Sequence, residues 1–397
     1  MTPYSDDLTA LLERDQGLPG RYFTDEALFG LERERVLGNS WLCIGLSADV
    51  SRKGDCFPVT VLGQPLLMVR DGATLRVFHN VCSHRGAVLV DSPARGRARI
   101  VCPYHSWTYR TDGELAATPH FGGSDRHAPD LDRRRLGLRS VPCAEWAGHV
   151  FVNLAGGAAP FAEWIRPVAK RYGQIAWADL VHDPALARSL AVHANWKIIA
   201  ENFVESYHLP WVHPTLHAVN PMRQHYQILG GHSYLGQGGT GYQGEQVAGG
   251  TLPLMKGLED YSRYEALFIF PNLILGPLPD MAFSIILSPE AAERTAERLE
   301  FFFVGNESLE DRCAAARASG ARFIADVNAQ DIGIVESVQR GRWSRAFEGG
   351  QFSPAQEATS LQLQKMVAAR ILSADRGRPE DIVSLPTRDI GHPPRVS

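Results

Sequence analysis

Cysteine is scarce in this chain: 397 residues hold six, at positions 43, 56, 82, 102, 143 and 313. So few cysteines, with no secretory context, do not make a disulfide framework, and in a reducing compartment paired Cys and His read better as metal ligands. Long apolar runs are also missing. The longest, 266–278, is broken by Pro271 and Pro277 and falls short of the ~18 residues that span a bilayer. No cationic excess is present, since 40 Lys and Arg face 44 Asp and Glu for a formal net charge of −4. That balance points away from nucleic acid and from anionic membrane surfaces. The first 20 residues are polar and lack the apolar region of a signal peptide, so a cytoplasmic location is expected. What remains is ordinary globular composition, 44% hydrophobic and 21% charged, enough for two or three domains at ~150 residues each.

The texture changes along the chain. Residues 22–40 read as helix, stopped by Asn39 and Ser40. From 41 to 154, short β-rich runs (58–62, 65–69, 75–79, 150–154) alternate with Gly, Asp and Pro turns, as in a compact antiparallel β domain. Beyond 156 the pattern is mixed. Helix is expected at 161–175, 195–208 and 308–340, and strand at 265–275, 281–287 and 298–304. The Gly- and Gln-rich segment 230–250 reads as a long loop or lid. The Pro- and Arg-rich tail after 374 is expected to be poorly ordered. The division implied is an N-terminal helical segment (1–40) packing on the second domain, a β domain (41–155), a mixed domain (156–374) and a tail (375–397).

The strongest local signal is Cys82-Ser83-His84 followed, after seventeen residues, by Cys102-Pro103-Tyr104-His105. Two thiolates and two imidazoles are the ligand set of a Rieske [2Fe–2S] centre, with Cys on one iron and His on the other. Gly86 and Pro103 suit the tight turns needed to aim both side chains of each loop inward, and Trp107 and Tyr109 are placed to shield such a cluster. Tetrahedral zinc also takes Cys₂His₂. Zinc fingers, however, usually draw their cysteines from one element and their histidines from another, whereas each loop here mixes one of each, which favours iron–sulfur.

These residues carry a family resemblance. His79-Asn80-Val81-Cys82-Ser83-His84-Arg85-Gly86 together with Cys102-Pro103-Tyr104-His105-Ser106-Trp107-Thr108-Tyr109 resembles the Rieske domain of ring-hydroxylating and related Rieske oxygenases.

A second constellation lies at Glu201-Asn202-Phe203-Val204-Glu205-Ser206-Tyr207-His208 and His213. On a continuous helix Glu201, Glu205 and His208 share one face, and a break at Pro210 offers a way to bring His213 back toward His208. Two histidines, one carboxylate and open positions make the facial triad of non-haem Fe(II) oxygenases. For the carboxylate, Asp331 lies inside an apolar stripe of Ile324, Val327, Ile334, Val335 and Val338, while Asp326 and Glu336 lie off it. An ionised Asp on a buried face needs a metal or a salt-bridge partner, and geometry alone leaves those two readings balanced. The resemblance shifts the balance: Asn195-Trp196-Lys197 through His213 is similar to the iron-binding segment of Rieske oxygenase alpha subunits, and Gln330-Asp331-Ile332 to the stretch supplying the Asp. It implies His208, His213 and Asp331 as iron ligands, Asn202 beside the iron, and Glu205 as the acid linking a Rieske histidine of one subunit to an iron-ligand histidine of the next in a head-to-tail homotrimer. Many members carry Asp at that last position.

The resemblance further implies an α+β fold: an antiparallel β Rieske domain plus a helix-grip-like catalytic domain with a central antiparallel sheet flanked by helices. The implied cofactors are a [2Fe–2S] cluster and mononuclear Fe(II), with O₂ as co-substrate. No glycine-rich dinucleotide fingerprint or plant-type ferredoxin cysteine spacing is present. NAD(P)H is therefore expected to act only indirectly, through a separate reductase with or without a ferredoxin. Segments 118–123, 236–239 and 269–272 resemble the oxygenases of choline, glycine betaine and proline betaine more than the naphthalene or biphenyl type. A small quaternary ammonium substrate, hydroxylated or N-demethylated, calls for an aromatic cage, with Trp211, Tyr226, Tyr234, Tyr242, Tyr264, Phe268 and Phe283 as candidates. Two alternatives stand beside it: oxygenation or O-demethylation of an aromatic acid, which an Arg facing the iron would favour, and an electron-transfer Rieske protein without mononuclear iron. The remaining histidines, His225 among them, are taken as core or surface residues.

Overall fold

The computed structural model describes residues 4–13, 16–123, 131–241, 250–258, 260–373 and 378–391. It falls into two compact units, Gly38–Phe161 and Met1–Leu37 together with Ala162–Ser397.

The described strands of the first unit all pair antiparallel. A three-stranded sheet joins Leu42–Leu46, His149–Val152 and Cys143–Trp146. A four-stranded sheet joins Cys56–Val61, Gln64–Asp71, Thr74–His79 and Ser140–Val141. A small third sheet joins Ile100–Val101, Thr108–Tyr109 and Leu115–Ala117. The expected runs at 58–62 and 65–69 are one hairpin, closed at Val61↔Gln64 by Leu62 and Gly63, both with positive φ. That is the turn geometry matching strand twist. Leu67, Val69, Phe78, Ile100, Tyr109 and Leu115 form one apolar cluster that also encloses the thiols of Cys82 and Cys102.

The second unit is built on a nine-stranded antiparallel sheet. Leu180–His182 and Arg188–Val192 both pair with Arg294–Val304. The order then runs Met281–Ala291, Leu273–Pro277, Arg263–Ile269, Tyr234–Thr240, His225–Gly230 and Thr387–Ile390. Helices Trp196–Phe203, Ala314–Gly341 and Ala358–Ser373 pack on it and on one another.

Several expectations change here. Residues 230–241 are not a lid but part of the hairpin that pairs His225–Gly230 with Tyr234–Thr240, and 242–249 lie outside the described residues. Their glycines serve close approach within the sheet. A Cβ on Gly238 would lie 2.2 Å from the Tyr226 ring, and one on Gly239 2.5 Å from that of Tyr264. The run 265–275 is two strands reversing at 270–272, where Pro271 has no N–H to give a ladder. The tail is ordered over 378–391: Pro379–Ile382 is helical and Thr387–Ile390 adds the edge strand. Helix Ala358–Ser373 escaped sequence reading because it is buried nearly all round, with Thr359, Ser360, Gln362 and Gln364 among its buried residues. Most of their polar atoms are paired internally, as in Thr359 Oγ1 to the Val204 carbonyl at 2.7 Å, Gln364 Nε2 to Glu201 at 2.8 Å and Gln362 Nε2 to the Gly231 carbonyl at 2.8 Å.

Among the described residues no helix is long and apolar enough to cross a membrane.

Candidate cluster loops and metal centre

The two Cys–His loops are built alike. In the first, the Cys82 N–H donates to the Ala87 carbonyl (2.8 Å) and Gly86 N–H to the Cys82 carbonyl (3.0 Å). In the second, Cys102 N–H donates to Trp107 (2.8 Å) and Ser106 N–H to Cys102 (3.1 Å). The fourth residue after each cysteine has positive φ, +77° at Gly86 and +57° at Ser106. Backbone hydrogen bonds thus give both loops the same reversal. The thiols are buried and not disulfide-bonded, while the histidines lie toward the surface, their rings 4.7 Å apart. Trp107 stacks on His84 at 4.7 Å, and the Tyr109 hydroxyl accepts the Ser83 N–H (3.0 Å) and lies 3.3 Å from the Cys82 sulfur.

These donors fit a Rieske cluster. Burial, aided by the nearby His105 and Arg85, lowers the His84 pKa and keeps its imidazole neutral. Its Nδ1 is buried without a hydrogen-bond partner, and an unpaired buried acceptor is costly unless something binds it.

The second constellation is assembled differently from the sequence expectation. Helix Trp196–Phe203, capped by the Asn195 side chain on the Lys197 N–H, stops at Phe203 rather than running to 208. Glu201 therefore turns away from the site, toward Gln364 and Arg342. Glu205 sits in the following turn, where its carboxylate accepts the N–H groups of Tyr207 and His208. Pro210 does not break a helix but begins one, Leu209–Val212, in the first turn where a missing N–H costs nothing. His213 falls between that helix and Pro214–Val219.

His208, His213 and Asp331 offer ligand atoms all within 4.8 Å of one another. The Asp331 Oδ1 lies 2.9 Å from His213 Nε2 and 3.4 Å from His208 Nε2. Each remaining ring nitrogen has its own partner. His208 Nδ1 meets Glu205, and His213 Nδ1 meets Gln330 Oε1 at 2.7 Å. Asn202 Nδ2 donates to Asp331 Oδ1 at 2.7 Å. Two imidazoles with their Nδ1 atoms tied back and Nε2 atoms converging on a carboxylate form a group that could hold a metal ion, with partners that would orient its ligands. The electrostatics agree. Burial disfavours charge on His208, yet its hydrogen bonds to Asp331 and Glu205 lift its pKa to about 9. The site attracts positive charge, which a divalent cation supplies.

The stripe around Asp331 is narrower than expected. Val335 is buried and Ile324 partly so, but Ile334 and Val338 are exposed, and the buried face continues through Asn328 and Gln339. Glu336 is partly buried and accepts the His193 N–H.

A cavity of about 130 Å³ opens beside the triad. Of the aromatic candidates, Tyr264 and Phe283 line it. Trp211 does not: it is 71% exposed, edge-on to Tyr207. Tyr226 lines a different cavity with Arg171 and Arg263, donating to Glu265 at 2.8 Å. Tyr234 and Phe268 are buried in the sheet and do not line the cavity, and Tyr242 lies outside the described residues. Sequence reading missed Phe203, Asn220, Gln237, Phe323 and Asn328, all in the lining. Phe323 and Asn328 precede Asp331 by eight and three, so helical spacing carried a usable signal; Gln237 fell within the segment 236–239 of the resemblance but was not singled out, and for Asn220 there was no signal. No described lining residue is Lys or Arg.

With this geometry in place, comparison with known proteins is direct. Residues 40–133 match the Rieske [2Fe-2S] domain and residues 178–373 the ring hydroxylating alpha subunit (catalytic domain). The chain belongs to the Rieske non-haem iron oxygenases. The carnitine monooxygenase oxygenase subunit of Escherichia coli K12 is 29% identical over 338 residues, covering 84% of this chain and 86% of that protein. The glycine betaine monooxygenase oxygenase subunit of Chromohalobacter salexigens is 34% identical over 213 residues, covering 53% and 46%. The quaternary ammonium Rieske monooxygenase CntA, solved with an inhibitor, shares the fold with a TM-score of 0.77 at 24% identity, covering 92% of this chain and 98% of that one. The α+β class, the oxygenase activity and the need for a [2Fe–2S] cluster and mononuclear iron follow from that membership. The zinc and electron-transfer-only readings do not stand.

Proposed function

We propose that this chain is the oxygenase subunit of a multicomponent monooxygenase that hydroxylates or N-demethylates a small quaternary ammonium compound of the betaine class. The observation that carries this reading is the cavity beside His208, His213 and Asp331. Phe203, Tyr264, Phe283 and Phe323 line it, and among the described residues no Lys or Arg does. Aromatic faces attract a methylammonium group. At about 130 Å³ the cavity is well below the ~300–1,000 Å³ of pockets for drug-sized ligands, as a compact substrate requires. The names of the carnitine and glycine betaine relatives point the same way. An aromatic acid would leave its carboxylate facing a cavity with no arginine among its described lining residues.

We assign the cluster to 41–155, held by Cys82 and Cys102 on one iron and His84 and His105 on the other, and the mononuclear iron to 156–374, held by His208, His213 and Asp331, with 1–40 packed on that domain and 375–397 as the tail. When bound, these groups supply electron transfer and reductive activation of O₂. The chain's own residues do the rest. Glu205 accepts the Nδ1–H of His208 and Gln330 that of His213, which fixes the tautomer leaving each Nε2 free to ligate. Asn202 holds one Asp331 oxygen. Leu209, Leu278 and Ile285 add apolar wall to the cavity. In a head-to-tail trimer Glu205 is the acid that faces a Rieske histidine of the neighbouring subunit. Reducing equivalents come from a separate NAD(P)H-dependent reductase, with or without a ferredoxin.

A single-turnover panel tests this. Reduced, iron-loaded protein incubated with betaines and aromatic acids should give oxidised product from the betaines; product from aromatic acids alone sinks the assignment.

A further inference from the structure

One polar side chain in the cavity has no role in the arrangement above. Asn220 is 2% exposed, lines the cavity, and neither its Oδ1 nor its Nδ2 has a hydrogen-bond partner. The other amides in the lining are engaged. Asn202 donates to Asp331, Gln237 accepts from Ser206 and donates to the Phe203 carbonyl, and Asn328 donates to Glu297. A buried amide with both ends unpaired is rare in native proteins because it forfeits its hydration without compensation. In a binding cavity the missing partner is a ligand.

The surroundings hold this amide in place. Asn220 ends helix Pro214–Val219, with its N–H on the Leu216 carbonyl at 2.8 Å. Its own carbonyl accepts the His225 Nε2–H at 3.1 Å. The other ring nitrogen, His225 Nδ1, lies 3.4 Å from the Tyr264 hydroxyl, which donates to it. One neutral imidazole thus ties the backbone of Asn220 to the aromatic ring of Tyr264. Gly239 completes the seat, since a Cβ there would lie 3.0 Å from Asn220 Nδ2 and 2.5 Å from the Tyr264 ring. The backbone that carries the free amide is therefore tied to the aromatic wall.

Resting on the quaternary ammonium reading above, we propose that Asn220 is the specificity-determining residue that donates from Nδ2 to the carboxylate oxygen of a betaine whose methylammonium end lies against Tyr264. A neutral amide suits this role because it pairs the carboxylate without placing a cation beside the ammonium group.

The test compares glycine betaine, choline and propyltrimethylammonium, which carry a carboxylate, a hydroxyl and no oxygen on similar frames. Single-turnover product yield against substrate concentration is measured for the wild type, Asn220→Leu and Asn220→Asp, with iron content and cluster absorbance checked in each. In Asn220→Leu the half-saturating concentration for glycine betaine, relative to that for propyltrimethylammonium, should rise about 10–100-fold, the range of a hydrogen bond to a charged group. In Asn220→Asp the carboxylate substrate should lose more than choline does, because an aspartate repels a carboxylate and accepts from a hydroxyl. An unchanged ratio, or equal losses on all three compounds, overturns the proposal for Asn220 while leaving the functional reading intact. Failure of the wild type to oxidise any of the three overturns the functional reading, and this inference with it.

Discussion

In the cluster loops, all four ligand candidates fall between residues 82 and 105, and backbone hydrogen bonds of the same pattern shape both halves. At the mononuclear site, His213 and Asp331 are 118 residues apart, and side chains from further segments aim them: Glu205, Gln330 and Asn202. The first centre is written into local backbone geometry. The second exists only once helices Trp196–Phe203 and Ala314–Gly341 have packed on the sheet. A site of the second kind is bound to be fainter in sequence, and removing one of its members should leave the first kind untouched.

The largest expected effect tests that independence. Asp331→Ala should abolish substrate-dependent O₂ uptake and strip the mononuclear iron, while the absorbance of the [2Fe–2S] cluster stays at the wild-type level. Cys82→Ser should do the converse, losing the cluster yet retaining Fe(II) binding at His208, His213 and Asp331. Iron analysis alongside the visible spectrum reads both. If Asp331→Ala also bleached the cluster, the two centres would not be separable folding units.

The same contrast explains what was legible in the sequence. The Cys–His loops were readable because spacing alone dictates their turns. Asp331 was readable in part, since a carboxylate between apolar helical positions is anomalous, although Ile334 and Val338 of that stripe proved exposed. The triad's orienting geometry was not readable, because the helix stop at Val204 follows from tertiary packing: Thr359 Oγ1 donates to the Val204 carbonyl from a helix 155 residues away. The strand glycines misled for a physical reason. Gly238 and Gly239 look like loop residues, yet they make room for rings on neighbouring strands. Of the six cage candidates within the described residues, two, Tyr264 and Phe283, line the cavity, because strand register decides which face each ring takes.

A second, smaller effect probes how the mononuclear region is held. Lys197 is fully buried, 2.5 Å from Glu32, which also accepts the Trp196 indole N–H at 2.8 Å. This pair fastens the N-terminal segment to the helix that precedes the iron-site turn. Lys197→Met leaves the Glu32 carboxylate buried without its countercharge and should destabilise the protein by ~3–5 kcal/mol. Adding Glu32→Gln should recover much of that loss. Chemical denaturation followed by tryptophan fluorescence measures both. A loss below ~1 kcal/mol in the single variant, or no recovery in the double, would show that the pair does not fasten this region.

The smallest effect lies in the cluster loops, where the twin construction predicts different outcomes for two mirror substitutions. Gly86 and Ser106 occupy equivalent positions, both with positive φ. Nothing lies within 4 Å of a Cβ built on Gly86, so Gly86→Ala meets no clash and costs only the left-handed backbone, ~1–2 kcal/mol. Ser106→Gly removes that same penalty but adds freedom to the unfolded chain, worth ~0.4–1 kcal/mol against it. The net should be neutral to slightly stabilising. The midpoint of cluster bleaching on heating therefore falls for Gly86→Ala and holds or rises for Ser106→Gly. If both variants lowered it equally, side-chain contacts rather than backbone conformation would govern these loops, and the contrast between the two centres would lose its basis.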